Sequence, residues 1–330
     1  VVNLSKSFIQ KKHHRGFWGS LQNLVSRQYS MIRAVDGITF SILPGECVGY
    51  IGPNGAGKST TIKMLTGLLV PTSGDILVNG YIPWRERTKF VAKIGVVFGQ
   101  RTTLWWDLPV IESLELLQHI YRIPRHCYLE NLSKFRDMLE LDGFIDTPVR
   151  SLSLGQRMRA DICAALLHDP DLLFLDEPTI GLDVVAKERI RQFIRTVNQT
   201  QKTTILLTTH DLSDVEKLCE RVLIIDKGHL LYDGGLDDLK QQFGGKRKLV
   251  VDFAESYPSV HVTGAALVSQ EGQRYIFAFD REAVTASELI QQLSEKYRIR
   301  DLSVQEPEIE NTVRRIYEER LLDEVAPGHN

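Results

Sequence analysis

Gly52-Pro53-Asn54-Gly55-Ala56-Gly57-Lys58-Ser59 reads as a complete G-x-x-x-x-G-K-S phosphate-binding loop. The residues before it, Glu46-Cys47-Val48-Gly49-Tyr50-Ile51, make a short apolar strand pattern. Those after it, Thr60 to Leu69, place Ile62, Leu65 and Leu69 at helical spacing. The loop therefore has the strand–loop–helix context that gives the motif its meaning. Its glycines let the backbone wrap tightly with N–H groups turned inward. The helix N-terminus behind it adds a dipole that favours anionic phosphate. Lys58 is placed to reach the β/γ-phosphates, and Ser59 to put a hydroxyl on Mg²⁺. The competing reading is a glycine-rich turn with an ordinary surface lysine. The flanking strand and helix argue against it.

The chain has 330 residues, 43% hydrophobic and 25% charged, which suits one large or two smaller globular domains. The net charge of −2 gives no global basic field for nucleic acid, so no nucleic-acid partner is expected. Cys47, Cys127, Cys163 and Cys219 are scattered without a C-x-x-C pair. They read as reduced thiols of a cytosolic protein, not as a disulfide framework or zinc site. No apolar run approaches the ~20 residues that span a bilayer, and no secretory signal is visible. Val1 already sits on the edge of a strand pattern, which predicts a few residues before it.

Val1–Leu4 and Ala34–Ile42 read as a strand pair around a long insert, about residues 9–33. Within the insert, Phe17, Leu21, Leu24 and Val25 form one apolar stripe of a short helix flanked by basic residues. Such a helix lies at a membrane interface or a membrane partner, or packs on its own domain with solvated charges. The pair His13-His14 reads as exposed basic loop, since no further ligand sits at metal spacing.

Downstream, Asp75–Val78, Ile94–Phe98, Leu172–Leu175, Ile205–Thr209 and Leu223–Asp226 read as strands. The last forms a hairpin with Leu230-Leu231-Tyr232 across Lys227-Gly228. The stretch from Ile111 to Leu141 is largely helical, broken near Pro124. Strands alternating with helices predict an α/β core with a parallel sheet, whose ligands bind at the carboxyl ends of strands. The phosphate loop, Asp176-Glu177 and His210 all fall at such ends. A composition shift at Gly244-Gly245-Lys246-Arg247-Lys248 reads as a linker. Beyond it, Leu249–Phe253 and Tyr275–Phe279 read as strands, and the faces Leu289/Ile290/Leu293/Tyr297 and Ile309/Val313/Ile316/Tyr317/Leu321 as helices. This is a small α+β domain of about 80 residues, marginally able to fold alone.

Asp176-Glu177, after four apolar residues, offers two carboxylates with different tasks. The aspartate can hold Mg²⁺, directly or through water. The glutamate one step on can polarise or deprotonate the water that attacks a γ-phosphate. A strand ended by solvated acids is the plainer reading, and it loses weight beside a phosphate loop.

With Leu152-Ser153-Leu154-Gly155-Gln156 added, the chain resembles the ATP-binding cassette family over about residues 1–240. The family signature is L-S-G-G-Q; Leu154 stands at its third position, while Ser153, Gly155 and Gln156 are retained. Gln100 matches the Q-loop glutamine, Ile180-Gly181-Leu182-Asp183 the D-loop, and His210 the switch histidine. Phe8, in Lys6-Ser7-Phe8, matches the aromatic that stacks on adenine; Tyr29 and Trp18 are rival candidates, and a core aromatic beside a strand is the plainer reading.

The resemblance implies a P-loop NTPase core over residues 1–243, with an accessory α+β domain at 246–330. The core would hold a parallel sheet, an N-terminal antiparallel β part and a helical signature subdomain at about 101–165. It implies an ATPase that binds ATP and Mg²⁺. Asn54, Gly55, Ala56, Gly57, Lys58, Ser59 and Thr60 would hold phosphates; Ser59, Gln100 and Asp176 would attend the metal. Glu177 would be the catalytic carboxylate and His210 its partner at the γ-phosphate. Two cassettes pair head-to-tail in the family. Ser153, Gly155 and Gln156 would therefore serve ATP held by a second chain, expected to be identical. Leu154 leaves binding intact, since the backbone groups and Ser153 remain.

A transporter subunit working with a separate membrane permease is the expected class, placed peripherally on the cytoplasmic face of the cell membrane. Soluble cassette proteins of translation usually carry two cassettes in one chain, and only one is present here. Chromosome ATPases place a coiled coil between loop and signature; the gap of about 95 residues here has no sustained heptads. A soluble regulatory ATPase is the alternative of a different class. Leu65-Thr66-Gly67-Leu68-Leu69-Val70-Pro71-Thr72-Ser73-Gly74 and Pro178-Thr179-Ile180-Gly181-Leu182-Asp183 resemble the bacterial ABC-2-type exporters, in the drug- and viologen-efflux style. The insert is instead similar to that of teichoic-acid and O-antigen exporters. Trp105-Trp106 falls where relatives meet the membrane subunit, or else packs in the helical subdomain.

Overall fold

The computed structural model describes residues 1–11, 29–99, 101–280 and 283–319. The helix expected at 16–28, with Trp18, lies outside the described residues, as does Gln100. The chain divides into two compact units, Val1–Gly234 and Gly235–Asn330.

The first unit begins with β1 (Val2–Lys11), β2 (Tyr29–Ile38), β3 (Cys47–Ile51), α1 (Lys58–Leu65), β4 (Ser73–Asp75), α2 (Arg87–Val91) and β5 (Ile94–Phe98). A helical stretch follows: α3 (Val110–Ile120), α4 (Arg125–Leu139) and α5 (Leu154–Leu166). Then come β6 (Leu172–Asp176), α6 (Val184–Gln201), β7 (Thr204–Thr208), α7 (Leu212–Leu218), β8 (Arg221–Asp226) and β9 (His229–Gly235).

A six-stranded sheet runs β5-β6-β7-β3-β8-β9. The first five strands are parallel. Strands covered on both faces need continuous apolar runs, and Leu172–Leu175 and Ile205–Thr208 are buried throughout. β9 returns through Lys227 (φ 47°) and Gly228 (φ 84°), the left-handed pair of a tight hairpin turn. A three-stranded sheet, β2-β1-β4, lies beside it. Leu4, Val35 and Ile38 of that sheet share one core with Tyr50, Ile62, Phe174, Leu206 and Leu223. Each fully buried Leu or Ile there contributes about 1.5–3 kcal/mol. Phe135 of α4 meets Phe193 of α6 edge to face, 5.5 Å between centroids, and so ties the helical layer to the core.

The N-terminal ladder is longer than the sequence reading allows. Residues 9–11 and 29–33 continue the strands, with Ile9 opposite Met31 and Phe8 opposite Ile32. Ile9 and Met31 are exposed, so burial does not announce this part of the ladder. Backbone pairing holds it.

The second unit contains α8 (Leu236–Phe243), β10 (Arg247–Phe253), β11 (Ala265–Glu271), β12 (Arg274–Phe279), α9 (Ala286–Lys296), β13 (Ile299–Gln305) and α10 (Ile309–Glu319). Its antiparallel sheet runs β11-β12-β10-β13. Leu249, Val251, Phe253, Tyr275, Phe277 and Phe279 pack on Leu289 and Leu293 of α9. α9 opens with a capping box of Thr285 and Glu288.

Candidate active site

β6, β7 and β3 are consecutive in the sheet and parallel. Thr208 is in register with both Asp176 and Tyr50. The carboxyl ends of three neighbouring strands therefore carry Asp176-Glu177, His210 and the phosphate loop on one edge. A pocket of about 890 Å³ lies there, lined by Asn54, Gly55, Gly57, Lys58, Ser59, Thr60, Asp176, Glu177 and His210. Ala56 is buried under the loop, and its carbonyl accepts from Gly228 N at 2.9 Å.

Gly57 turns the chain into α1 at φ 113°, a left-handed value that only glycine adopts without strain. No side chain caps α1. Its first amides, at the end of a strand–loop turn, are the unpaired donors that bind anions at helix N-termini. Lys58 is buried, and its Nζ donates to Gly52 O at 2.6 Å and Pro53 O at 3.2 Å. Burial pulls its pKa down, while Glu177 and Asp176 push it back up. The loop thus sets positive charge and N–H donors in the same pocket as the Asp176 and Glu177 carboxylates.

Glu177 stands in the left-handed region, at φ 58°. A non-glycine residue held there is over-determined by its surroundings. Glu177 N donates to Thr208 O at 2.9 Å, and Gly99 N to Asp176 O at 2.7 Å. A Cβ on Gly99 would run into the Glu177 carbonyl, so glycine there lets β5 approach. These contacts fix the turn and send the Glu177 carboxylate toward His210, whose Nδ1 lies 2.6 Å from Oε2. Thr208 Oγ1 donates to Asp176 Oδ1 and orients the neighbouring carboxylate.

Sequence reasoning missed the bracing behind this edge. Asp214, 1% exposed, accepts from Thr179 Oγ1, from Arg191 Nε at 2.6 Å and from Thr209 Oγ1 at 3.3 Å. It ties the turn after Glu177, helix α6 and the residue before His210 together. Asp211 caps α7 through Ser213 N at 3.2 Å and meets Lys187 Nζ at 2.6 Å. Burial pushes Asp211 up, but Lys187, Ser213 and Arg191 outweigh it and hold the carboxyl below its ordinary range. The only signal in the sequence is a run of acids after a strand end, which does not name partners.

Ser153, Gly155 and Gln156 are not among the residues lining the pocket. Ser153 is exposed at the start of α5. Its Oγ accepts from Gln156 N at 3.2 Å, and Gln156 Oε1 accepts from Ser153 N at 2.9 Å. Ser153 and Gln156 are thus a capping box, a signal the S-x-x-Q spacing carries. Leu154 is 39% exposed and sits over Gly181 of the D-loop. Phe8 is 40% exposed on β1, beside Lys6 Nζ at 5.4 Å from its ring, and does not line the pocket. Trp105 and Trp106 are both exposed, and Arg157 stacks over Trp106 at 4.7 Å.

A phosphate loop facing an Asp-Glu strand end and a histidine, on adjacent parallel strands, defines a P-loop nucleoside triphosphatase. The profile of the ABC transporter family matches residues 35–180. The linearmycin resistance ATP-binding protein LnrL of Bacillus subtilis is 34% identical over 297 residues, which cover 87% of this chain and 94% of that one. A Nod factor export ATP-binding protein I of Cupriavidus metallidurans is 37% identical over 210 residues, 64% of this chain and 69% of the relative. The fold is similar to the dimeric ATP-binding cassette MJ0796 in a post-hydrolysis state bound to ADP and Pi. That match has a TM-score of 0.59 and 26% identity, and covers 71% of this chain and 97% of the other. The chain belongs to the ABC transporter family, as an ATP-binding, ATP-hydrolysing subunit of an exporter-type system.

Proposed function

We propose that two copies of this chain close head-to-tail around ATP and drive export through a separate permease. The carrying observation is a division of labour: Lys58, Asp176, Glu177 and His210 share one pocket, while Ser153 and Gly155 lie outside it. In this reading the Asn54–Thr60 amides and Lys58 hold the phosphates. Glu177 takes a proton from the attacking water, and His210 holds the Glu177 carboxylate in place. Ser153 and Gly155 meet the γ-phosphate of ATP on the other chain. Ser153 keeps its hydroxyl hydrogen for this, because its oxygen acts only as acceptor in the cap.

Mg²⁺ fits the donors present. Ser59 and Asp176 offer hard oxygens in the pocket, and Gln100 follows β5 nearby in sequence. Among the described residues no group of three or more His, Cys, Asp or Glu forms a metal cage. An ion that keeps waters and takes substrate phosphates suits this sparse set. When bound, it would neutralise charge on the phosphates. Phe8 is assigned to the adenine.

Among the described residues no helix is long and apolar enough to cross a membrane. We assign the span to the permease, with this chain on its cytoplasmic face and the Trp105–Trp106 surface toward it. Similarity to a linearmycin resistance protein along most of the chain supports an antibiotic-like cargo.

Mixed chains test the composite site. Lys58→Ala and Ser153→Arg chains are each inactive alone. Mixed, they form dimers in which one site carries both lesions and the other none, so turnover returns. Mixtures as inactive as either parent would overturn the reading.

A further inference from the structure

The segment after β5 changes attachment within two residues. Arg101 still belongs to the core: its amide donates to Phe98 O at 3.0 Å, and it lines the pocket. From Thr102 the anchors lie on the helical layer. Thr102 Oγ1, Thr103 N and Thr103 Oγ1 donate to a single oxygen, Asp161 Oδ1, at 2.8, 2.9 and 3.1 Å. Trp105 N donates to Ser113 Oγ of α3 at 3.3 Å. Trp106 O and Leu108 O accept from Arg150 N and Val149 N at 2.9 and 3.0 Å. The Arg157 guanidinium covers the Trp106 ring.

Asp161 and Arg157 are four residues apart on α5, hence on one face of the helix. α5 is the helix whose first turn is Ser153–Gln156. Asp161 is 5% exposed and has Ala160, Ile162, Cys163 and Ala164 around it in the helix. A buried carboxylate costs stability unless donors satisfy it. Here the donors come from a segment that is neither helix nor strand. Packing alone would be served better by an alanine or leucine. Burial raises Asp161 to about 6, against the pull of the threonine hydrogen bonds, so it is still an ionised acceptor at neutral pH.

We propose that Asp161, helped by Arg157, is a positioning clasp that locks Thr102–Trp106 to the signature helix. The Trp105–Trp106 surface and Ser153 then move as one body, although Asp161 lies eight residues, about 12 Å along the helix, from Ser153. Asp161 does not line the phosphate pocket; it acts through α5. The inference rests on the reading that Ser153 serves ATP on the other chain.

The test uses the full chain, with turnover at saturating ATP and ATP affinity by calorimetry. Asp161→Ala should lower turnover about tenfold or more while affinity stays within about twofold, because the phosphate pocket is untouched. The pair Thr102→Val and Thr103→Val removes the hydroxyl donors from the other side and should give a comparable loss. Combining both sets should be no worse than either, the signature of one shared interaction. Asp161→Asn keeps an acceptor oxygen and should recover most of the turnover. Additive losses, an unchanged threonine pair, or equal falls in affinity and turnover would overturn the clasp. If Asp161→Ala fails to fold, the threonine pair and Asp161→Asn still decide. Glu177→Gln run alongside separates the two readings. Wild-type turnover there refutes the site assignment, while the Asp161–threonine cycle reads the clasp independently.

Discussion

His210 Nδ1 lies 2.6 Å from Glu177 Oε2, joining the ends of two adjacent parallel strands. The His210 side chain is 59% exposed and that of Glu177 21%. A pair this open to water adds at most about 1 kcal/mol to stability. Its importance lies in aiming the carboxylate. His210→Ala should therefore lower saturated turnover at least about tenfold while folding stability changes by less than about 1 kcal/mol. Steady-state kinetics beside denaturant titration checks both halves.

Lys58 makes two opposed predictions. Its pKa is depressed by burial, so the charged amine costs the nucleotide-free fold. By linkage, stability rises with pH from the lowered pKa up to the unfolded value, because the unfolded chain binds the extra proton there. Lys58→Met removes that cost and two hydrogen bonds together, so its melting point without nucleotide should stay close to wild type. The rise in melting point that ATP gives wild type should vanish. Thermal denaturation with and without ATP reads both. A variant that ATP still stabilises would count against the role of Lys58.

Asp161 sets a pH signature. Its folded pKa, about 6, lies above the ordinary carboxyl value of 3.8. The folded chain therefore holds the proton longer than the unfolded one. The stabilising contribution is complete below about pH 4 and is lost as pH rises through about 6. The difference amounts to about 3 kcal/mol between the two limits. Asp161→Asn should erase that part of the slope. Denaturant midpoints of both proteins between pH 4 and 7 check it; parallel curves would contradict it.

The sheet that positions the site was legible because its strands are buried on both faces. Leu172–Leu175 and Ile205–Leu207 are apolar without interruption, and the charged or polar residue after each marks its end. β11 and β13 left no such mark. They are edge strands, mostly exposed, and residues such as Arg300, Asp301 and Gln270 break the apolar alternation. Lys58, Asp176, Glu177 and His210 were readable because each belongs to a known motif: Lys58 opens the helix after the phosphate loop, and the other three lie at or just past strand ends. Asp161 and Asp214 were not, because their partners Thr102 and Thr179 are 59 and 35 residues away. Local pattern cannot name a partner at that separation. Gln156 lay between: the spacing that makes it a cap is visible in the sequence, yet its match to a signature motif draws the eye first.

In the proposed reaction Glu177 does the chemistry in a site closed by a second chain. Light scattering of Glu177→Gln with ATP and Mg²⁺, together with its turnover, decides this. A stable ATP-dependent dimer whose hydrolysis is slower by at least about a hundredfold is predicted. A variant that stays monomeric with ATP, or hydrolyses it at the wild-type rate, would remove Glu177 from the chemistry or the second chain from the site.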